Sequence, residues 1–381
     1  MHIIYILKRT HTSKHNTGHP CHLFIFIGIL SCAYFGLFGC TSSDIKSPPA
    51  KKQRTTQETA LNRLTKLPTV KRVTPWQLPD GVTKQSNVAL AITTDHYQIY
   101  TTVTDPLILE FIPVFLESSF IAYCKTIQRK VKLESRFPIY LFQTRLEWAD
   151  FTKLSTGHLS KIYLQITAGA YFDNGICVAW HLGRTNDYSV LAHEGWHQFA
   201  HRVMKFNLPS WLNEGIATTF EKYRWQHGNL IFEPKRNGPR LFSLKNAIAT
   251  NTLLPLETLV ATDPGNVLLH TQKSHSSNTE SAIGTYYGQC HALIRFLQEY
   301  NQGAILVKFI EMLQGADQGT WPLSPSLISE STEKDKPLSR YWNSQVGAII
   351  FDTYISKESV RINSAYRNFC LSLASTVSGR R

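Results

Sequence analysis

The chain has 381 residues, 43% of them hydrophobic, 12% aromatic and 18% charged, which is enough apolar material for a substantial core and excludes wholesale disorder. Its net charge of +13 looks like a nucleic-acid signature until it is located: residues 1–85 carry twelve Lys/Arg against three Asp/Glu, a net of +9 that leaves +4 for the rest. No basic helix or recognition motif accompanies that charge, so nucleic acid is not an expected partner, and no repeat of roughly 20–50 residues points to a solenoid or propeller.

In chain order, Lys8, Arg9 and Lys14 precede an apolar run from His22 to Gly39, the pattern of an export signal over residues 1–39. The run closes on Leu37-Phe38-Gly39-Cys40, which resembles the lipobox of bacterial lipoproteins. That resemblance implies lipidation of Cys40 and a membrane-anchored protein of the cell envelope. An uncleaved membrane helix is the other reading, at the lower limit of spanning length. Both place the remaining chain outside the inner membrane. Residues 40–85, rich in Thr, Ser, Lys, Pro and Gln, read as a flexible tether, and the folded domain is expected over 86–375.

From Asn87 the pattern changes. NVALAI and HYQIYTTV read as strands around a Thr93-Thr94-Asp95 turn, residues 107–130 as a long helix, and PIYLF (138–142) as a buried strand. A short helix is expected over Glu147–Leu154. Ala170–Phe172 and Ile176–His181 flank Asp173-Asn174-Gly175 as a hairpin. Two helices, about 187–204 and 210–223, are separated by Asn207-Leu208-Pro209. Leu241–Val260 reads as a helix broken at Pro255, 271–282 as a polar loop, Tyr286–Tyr300 and Ala304–Leu313 as helices, and 322–338 as a Ser/Pro-rich loop before a helical tail. A strand-rich first half and a helical second half predict an α+β fold. Beyond Cys40, the cysteines Cys124, Cys177, Cys290 and Cys370 have no CxxC spacing and indicate no zinc ribbon or thioredoxin-type site.

The chemistry concentrates in Val190-Leu191-Ala192-His193-Glu194-Gly195-Trp196-His197-Gln198-Phe199, which contains His-Glu-x-x-His. Residues i and i+4 of an α-helix share a face, so His193 and His197 can offer two imidazole nitrogens to one ion. Glu194 then lies beside the ion without binding it, where a carboxylate can take a proton from water. The neighbouring residues are apolar, and burying two imidazoles and a carboxylate without partners costs several kcal/mol; a metal resolves that difficulty. A third donor is available in Glu214, 17 positions beyond His197 in Leu208-Pro209-Ser210-Trp211-Leu212-Asn213-Glu214-Gly215. Two His and one Glu leave a fourth tetrahedral position open for water.

These two blocks resemble the gluzincins, the metallopeptidase clan that includes thermolysin. The broader pattern, with LLPLETLVATDP and YYGQCHALIRFL, is similar to the bacterial peptidase MA-like proteins of the DUF1570 family over roughly residues 90–370. The resemblance implies zinc held by His193, His197 and Glu214, with Glu194 as general base. It also makes Glu221, seven positions after Glu214 on a continuing helix, a partner of a ligand imidazole. Tyr287, with Tyr286 and His291 as neighbours, becomes a candidate to stabilise the oxyanion. The hairpin around Ala168–Cys177 is, by the same analogy, an edge strand for an extended peptide. Among rival donors, His201 shares the helix face and Cys177 is available from the preceding strand. The metzincin pattern is excluded, because Phe199 and Val203 stand where it needs Gly and His. The expected function is a zinc-dependent peptidase acting on a peptide or protein substrate; the alternatives are a binding or scaffold lipoprotein that keeps the fold, and hydrolysis of a non-peptide amide.

Overall fold

The computed structural model describes residues 61–167, 169–267, 279–355 and 359–376. The export signal, Cys40, the first part of the tether, Ala168 and most of the polar loop over 271–282 lie outside the described residues.

Strands β1 (Arg72–Pro75), β2 (Leu90–Thr93) and β3 (Tyr97–Thr101) form an antiparallel meander. β3 pairs in parallel with β4 (Phe137–Phe142), and β4 in parallel with β6 (Ile176–Trp180). β5 (Ala170–Asp173) pairs antiparallel with β6, closing a six-stranded sheet of order β1-β2-β3-β4-β6-β5. The α+β expectation holds: this sheet precedes a helical C-terminal half.

Side chains of a strand alternate between faces, and here both faces are buried. Ile139, Leu141, Cys177 and Ala179 point into the main core. Phe142, Val178 and Trp180 point into a second core with Trp148, Phe151, Tyr163 and Tyr171. Helix α2 (Arg145–Thr156), opened by a capping box between Thr144 and Glu147, covers the second face. Against the first lie α1 (Pro106–Thr126) and α3 (Arg184–Val203). Helix α1 is long and apolar enough to cross a membrane by length and composition, yet Ile108, Ile112, Phe115, Leu116 and Tyr123 on it belong to the main core.

Two glycines bring the elements around the site close together. A Cβ on Gly195 of α3 would meet Tyr123 Oη at 2.7 Å, the hydroxyl that donates to the Ala192 carbonyl at 2.7 Å and ties α1 to α3. A Cβ on Gly215 of α4 (Ser210–Thr218) would meet Ile294 Cγ1 at 2.6 Å and the Cys290 carbonyl oxygen at 2.8 Å. Its absence lets α4 pack directly against α7 (Thr279–Glu299).

Several expectations are corrected. The tether expected over 40–85 gives way to packed chain from Leu61 on: Leu64, Trp76 and Val82 are buried, and β1 extends the sheet. Backbone pairing and one large apolar anchor, Trp76 against Tyr100, Tyr140 and Phe142, outweigh a polar composition. The helix expected over 210–223 stops at Thr218, and a hairpin follows, β7 (Tyr223–Gln226) and β8 (Asn229–Phe232), turned at His227-Gly228 with both residues at positive φ. Helices α5 (Gly238–Ala249) and α6 (Leu256–Ala261) match the break at Pro255, and α7 already begins at Thr279, inside the expected polar loop. Beyond α8 (Leu306–Gln318), the Ser/Pro-rich loop contains helix α9 (Pro325–Thr332), because proline is preorganised for a first helical turn. Helices α10 (Arg340–Tyr354) and α11 (Ser359–Ser375) follow.

Candidate metal centre

Helix α3 is buried without interruption from Val190 to Ala200, so its polar groups there must be satisfied by protein or by a ligand. His193 and His197 lie one helical turn apart, with ring centroids 4.9 Å from each other. Asn207-Leu208-Pro209 breaks the helix, and α4 returns Glu214 to face them. Glu214 Oε2 is 3.2 Å from His193 Nε2 and 3.4 Å from His197 Nε2. One donor atom from each of the three residues lies within 4.8 Å of the others, all three residues are buried, and together they could hold a metal ion. Donors about 2.0–2.1 Å from one tetrahedral ion would stand roughly 3.4 Å apart, close to the separation of Glu214 from each histidine here.

The far side of each ring fixes which nitrogen faces the cluster. His193 Nδ1 is 2.9 Å from Glu221 Oε1, and His197 Nδ1 is 3.0 Å from Asn213 Oδ1. Each Nδ1–H thus donates to an acceptor and each Nε2 is left for the cluster. His193 Nε2, both Glu214 oxygens and Glu194 Oε2 are buried and make no hydrogen bond. Four such atoms on residues whose charges act on one another are costly unless a proton or a metal cation joins them. The donor set therefore fits a divalent metal.

The electrostatics agree. Burial alone would raise the Glu214 pKa, but His197 and His193 outweigh it and hold the carboxyl at about 2. Burial also opposes charge on His193, yet Glu214 and Glu221 reverse this and raise its pKa to about 10. The pocket thus favours a positive charge between these groups, whether a proton or an ion. Glu194 differs: burial dominates and pushes its carboxyl up to about 7, with His193 and His197 opposing, which suits a proton acceptor more than a ligand.

Glu221 reaches His193 by a route other than the expected one. It lies beyond the end of α4, where the chain turns back, with Glu221 N donating to the Thr218 carbonyl at 3.5 Å. Arg240 on α5 holds it with two hydrogen bonds, Nη2 to Oε1 at 2.5 Å and Nε to Oε2 at 2.8 Å, and Asn237 Nδ2 adds a third at 2.8 Å. Arg240 and His193 together outweigh burial and hold the Glu221 carboxyl far below the usual range.

Of the residues expected at the oxyanion, Tyr287 is buried beside the cluster, its ring centroid 6.3 Å from that of His193 and the Arg240 guanidinium 4.8 Å over its face. Tyr286 instead donates to the Thr262 carbonyl at 3.3 Å, and His291 places its two nitrogens on Thr218 Oγ1 and the Pro234 carbonyl. Neither rival ligand joins the cluster. Cys177 is buried in the sheet core, where burial raises its thiol pKa. His201 packs edge-on against Phe172, with ring centroids 5.1 Å apart. Cys124, Cys177, Cys290 and Cys370 are free thiols.

A cleft of about 460 Å³ is lined by β5 residues and the 334–338 segment, with His197 and Asn213 also in its wall. β5 is the last strand of the sheet, and Phe172 and Asp173 on it line the cleft. Asn213, Asn237 and Arg240 are the site residues that sequence reasoning missed. Asn213 had a faint signal, an amide directly before the third donor; Arg240 and Asn237 had none, because only the backward turn after α4 brings Glu221 to them. Comparison of the chain with known protein families, with curated proteins and with solved structures finds no match, so the assignment of a metal centre stands on donor geometry.

Proposed function

We propose that the chain is a zinc-dependent peptidase of the gluzincin type, exported and anchored in the cell envelope through Cys40. The observation that carries the reading is the convergence of His193 Nε2, His197 Nε2 and Glu214 Oε2, with the buried Glu194 carboxylate in electrostatic reach of all three. His193, His197 and Glu214 would hold the zinc, which would supply Lewis acidity for lowering the pKa of water toward about 7 and for polarising a carbonyl. Glu194 takes the proton of the attacking water and passes it to the leaving amine. Its pKa of about 7 lies where a group can both accept and return a proton near neutrality. Glu221 and Asn213 accept the Nδ1–H groups and fix ring orientation, and Tyr287, buried beside His193, would donate to the developing oxyanion. An extended peptide lies in the cleft along β5, pairing with its outer edge.

A second reading is favoured by one observation. His193, Glu194 and Glu214 are fully buried, and of the cluster only His197 lines the cleft. That degree of enclosure suits a structural metal in a binding or scaffold protein. The deciding experiment incubates the purified chain with a mixed peptide library, with and without a chelator. Chelator-sensitive cleavage, lost in Glu194→Gln with metal retained, supports the peptidase; stoichiometric metal with no cleavage supports the scaffold.

A further inference from the structure

The cleft that leads to His197 is also lined by a lysine whose charge is not neutralised. Lys334 follows α9, in a segment fastened to the α3–α4 connector by Asn207: the Asn207 amide N donates to the Ser331 carbonyl at 2.7 Å and its Nδ2 to the Glu333 carbonyl at 2.9 Å. The same side chain receives Lys334 Nζ on Oδ1 at 2.8 Å. Asn207 thus holds the ammonium in place but, being neutral, does not balance it. The other charged groups of the cleft are otherwise engaged. Lys336 pairs with Glu333 at 2.9 Å, and Asp173 accepts from the Tyr163 hydroxyl at 3.0 Å. Asp335 is exposed, and among the described residues no carboxylate forms an ion pair with Lys334. Burial lowers the Lys334 pKa to about 8, so it stays charged at neutral pH. An ammonium has three donors, and a positioned, partly desolvated one in a substrate cleft is a site for an anion.

We infer that Lys334 recognises a carboxylate of the substrate, so that the cleft selects peptides carrying a negative charge at a fixed distance from the metal centre, supplied by an Asp or Glu side chain or by a free C-terminus. This deepens the peptidase reading and rests on it for the direction of the peptide. Lys334 is here a specificity residue, not a participant in proton transfer.

The test measures binding without hydrolysis. Short dye-labelled peptides, uncharged and amidated, are titrated by fluorescence anisotropy against the full chain carrying Glu194→Gln. The same peptides follow with one Glu at each position in turn, or with a free C-terminal carboxylate. At least one charged version should bind about tenfold or more tightly than its neutral parent, and which one identifies the source of the carboxylate. Lys334→Met and Lys334→Gln should abolish the preference and Lys334→Arg should keep it, with unchanged thermal midpoints. Lys308→Met, on α8 outside the cleft, should leave it intact. Equal binding of charged and neutral peptides, or a preference that survives Lys334→Met, overturns the inference. A charge preference without zinc-dependent cleavage removes the peptidase reading alone, and cleavage without a charge preference removes this inference alone.

Discussion

Helix α3 contributes one member to each of two histidine–carboxylate pairs, Asp187 near its start and His193 midway, and the two pairs behave differently. At the start, His181 Nδ1 lies 2.5 Å from Asp187 Oδ2, while the other Asp187 oxygen accepts the Leu182 amide at 2.6 Å. Every atom of that carboxylate is used locally, and the arrangement fastens the chain entering the helix. Midway, His193 also has its carboxylate on Nδ1, but Nε2 faces a second carboxylate, Glu214, whose oxygens make no hydrogen bond. A histidine–carboxylate contact therefore says little alone; buried donors left over after the local contacts are made indicate a ligand.

The largest expected separation between the two pairs comes from deleting a donor. Glu214→Ala or His193→Ala should abolish tight metal binding, whereas Asp187→Asn should leave metal content unchanged and lower stability by about 1–3 kcal/mol in denaturant unfolding. Metal loss in Asp187→Asn would break the comparison. Next is Glu194→Gln, which should keep the metal while peptide hydrolysis drops by roughly 10²–10⁴-fold in initial-rate assays; an active variant would remove Glu194 from the mechanism. Glu221→Gln should weaken metal affinity by about 10–100-fold in competition with a chelating dye, since the His193 ring then loses a charged acceptor and Arg240 its counter-charge.

The smallest effects are those of pH, and the signs differ between the pairs. Metal must displace the proton that Glu214 and Glu221 favour on His193, whose pKa is raised to about 10. Apparent affinity should thus fall as pH falls, by about tenfold per unit for one displaced proton. His181 has its pKa raised by the Asp187 hydrogen bond, with burial opposing. Its stabilisation is fully present below about pH 6.5, the ordinary histidine value, and is lost as pH rises through the higher folded-state value. Urea titrations of the wild type and Asp187→Asn across that range check the sign.

The cluster was legible because its spacing is local. His193 and His197 sit one turn apart on a helix that its apolar neighbours announce, and Glu214 follows after one marked break. Glu221 was named on a continuing helix, but α4 ends at Thr218 and the residue arrives through a turn. Position along the chain was right where its geometry was not. Arg240 and Asn237 join only through the tertiary path of α5, for which no periodicity speaks. The segment from Leu61 to Gln85 reads as solvated by composition, yet a four-residue strand and Trp76 commit it to the sheet; short edge strands owe their place to backbone pairing, which leaves little trace in side chains.

The most direct test of the central claim is the zinc content of the purified full chain, wild type against His193→Ala, after zinc loading and removal of excess ion. One zinc per chain is expected in the wild type and none in the variant. A wild type that retains no zinc, or a His193→Ala protein that retains it equally, would contradict it.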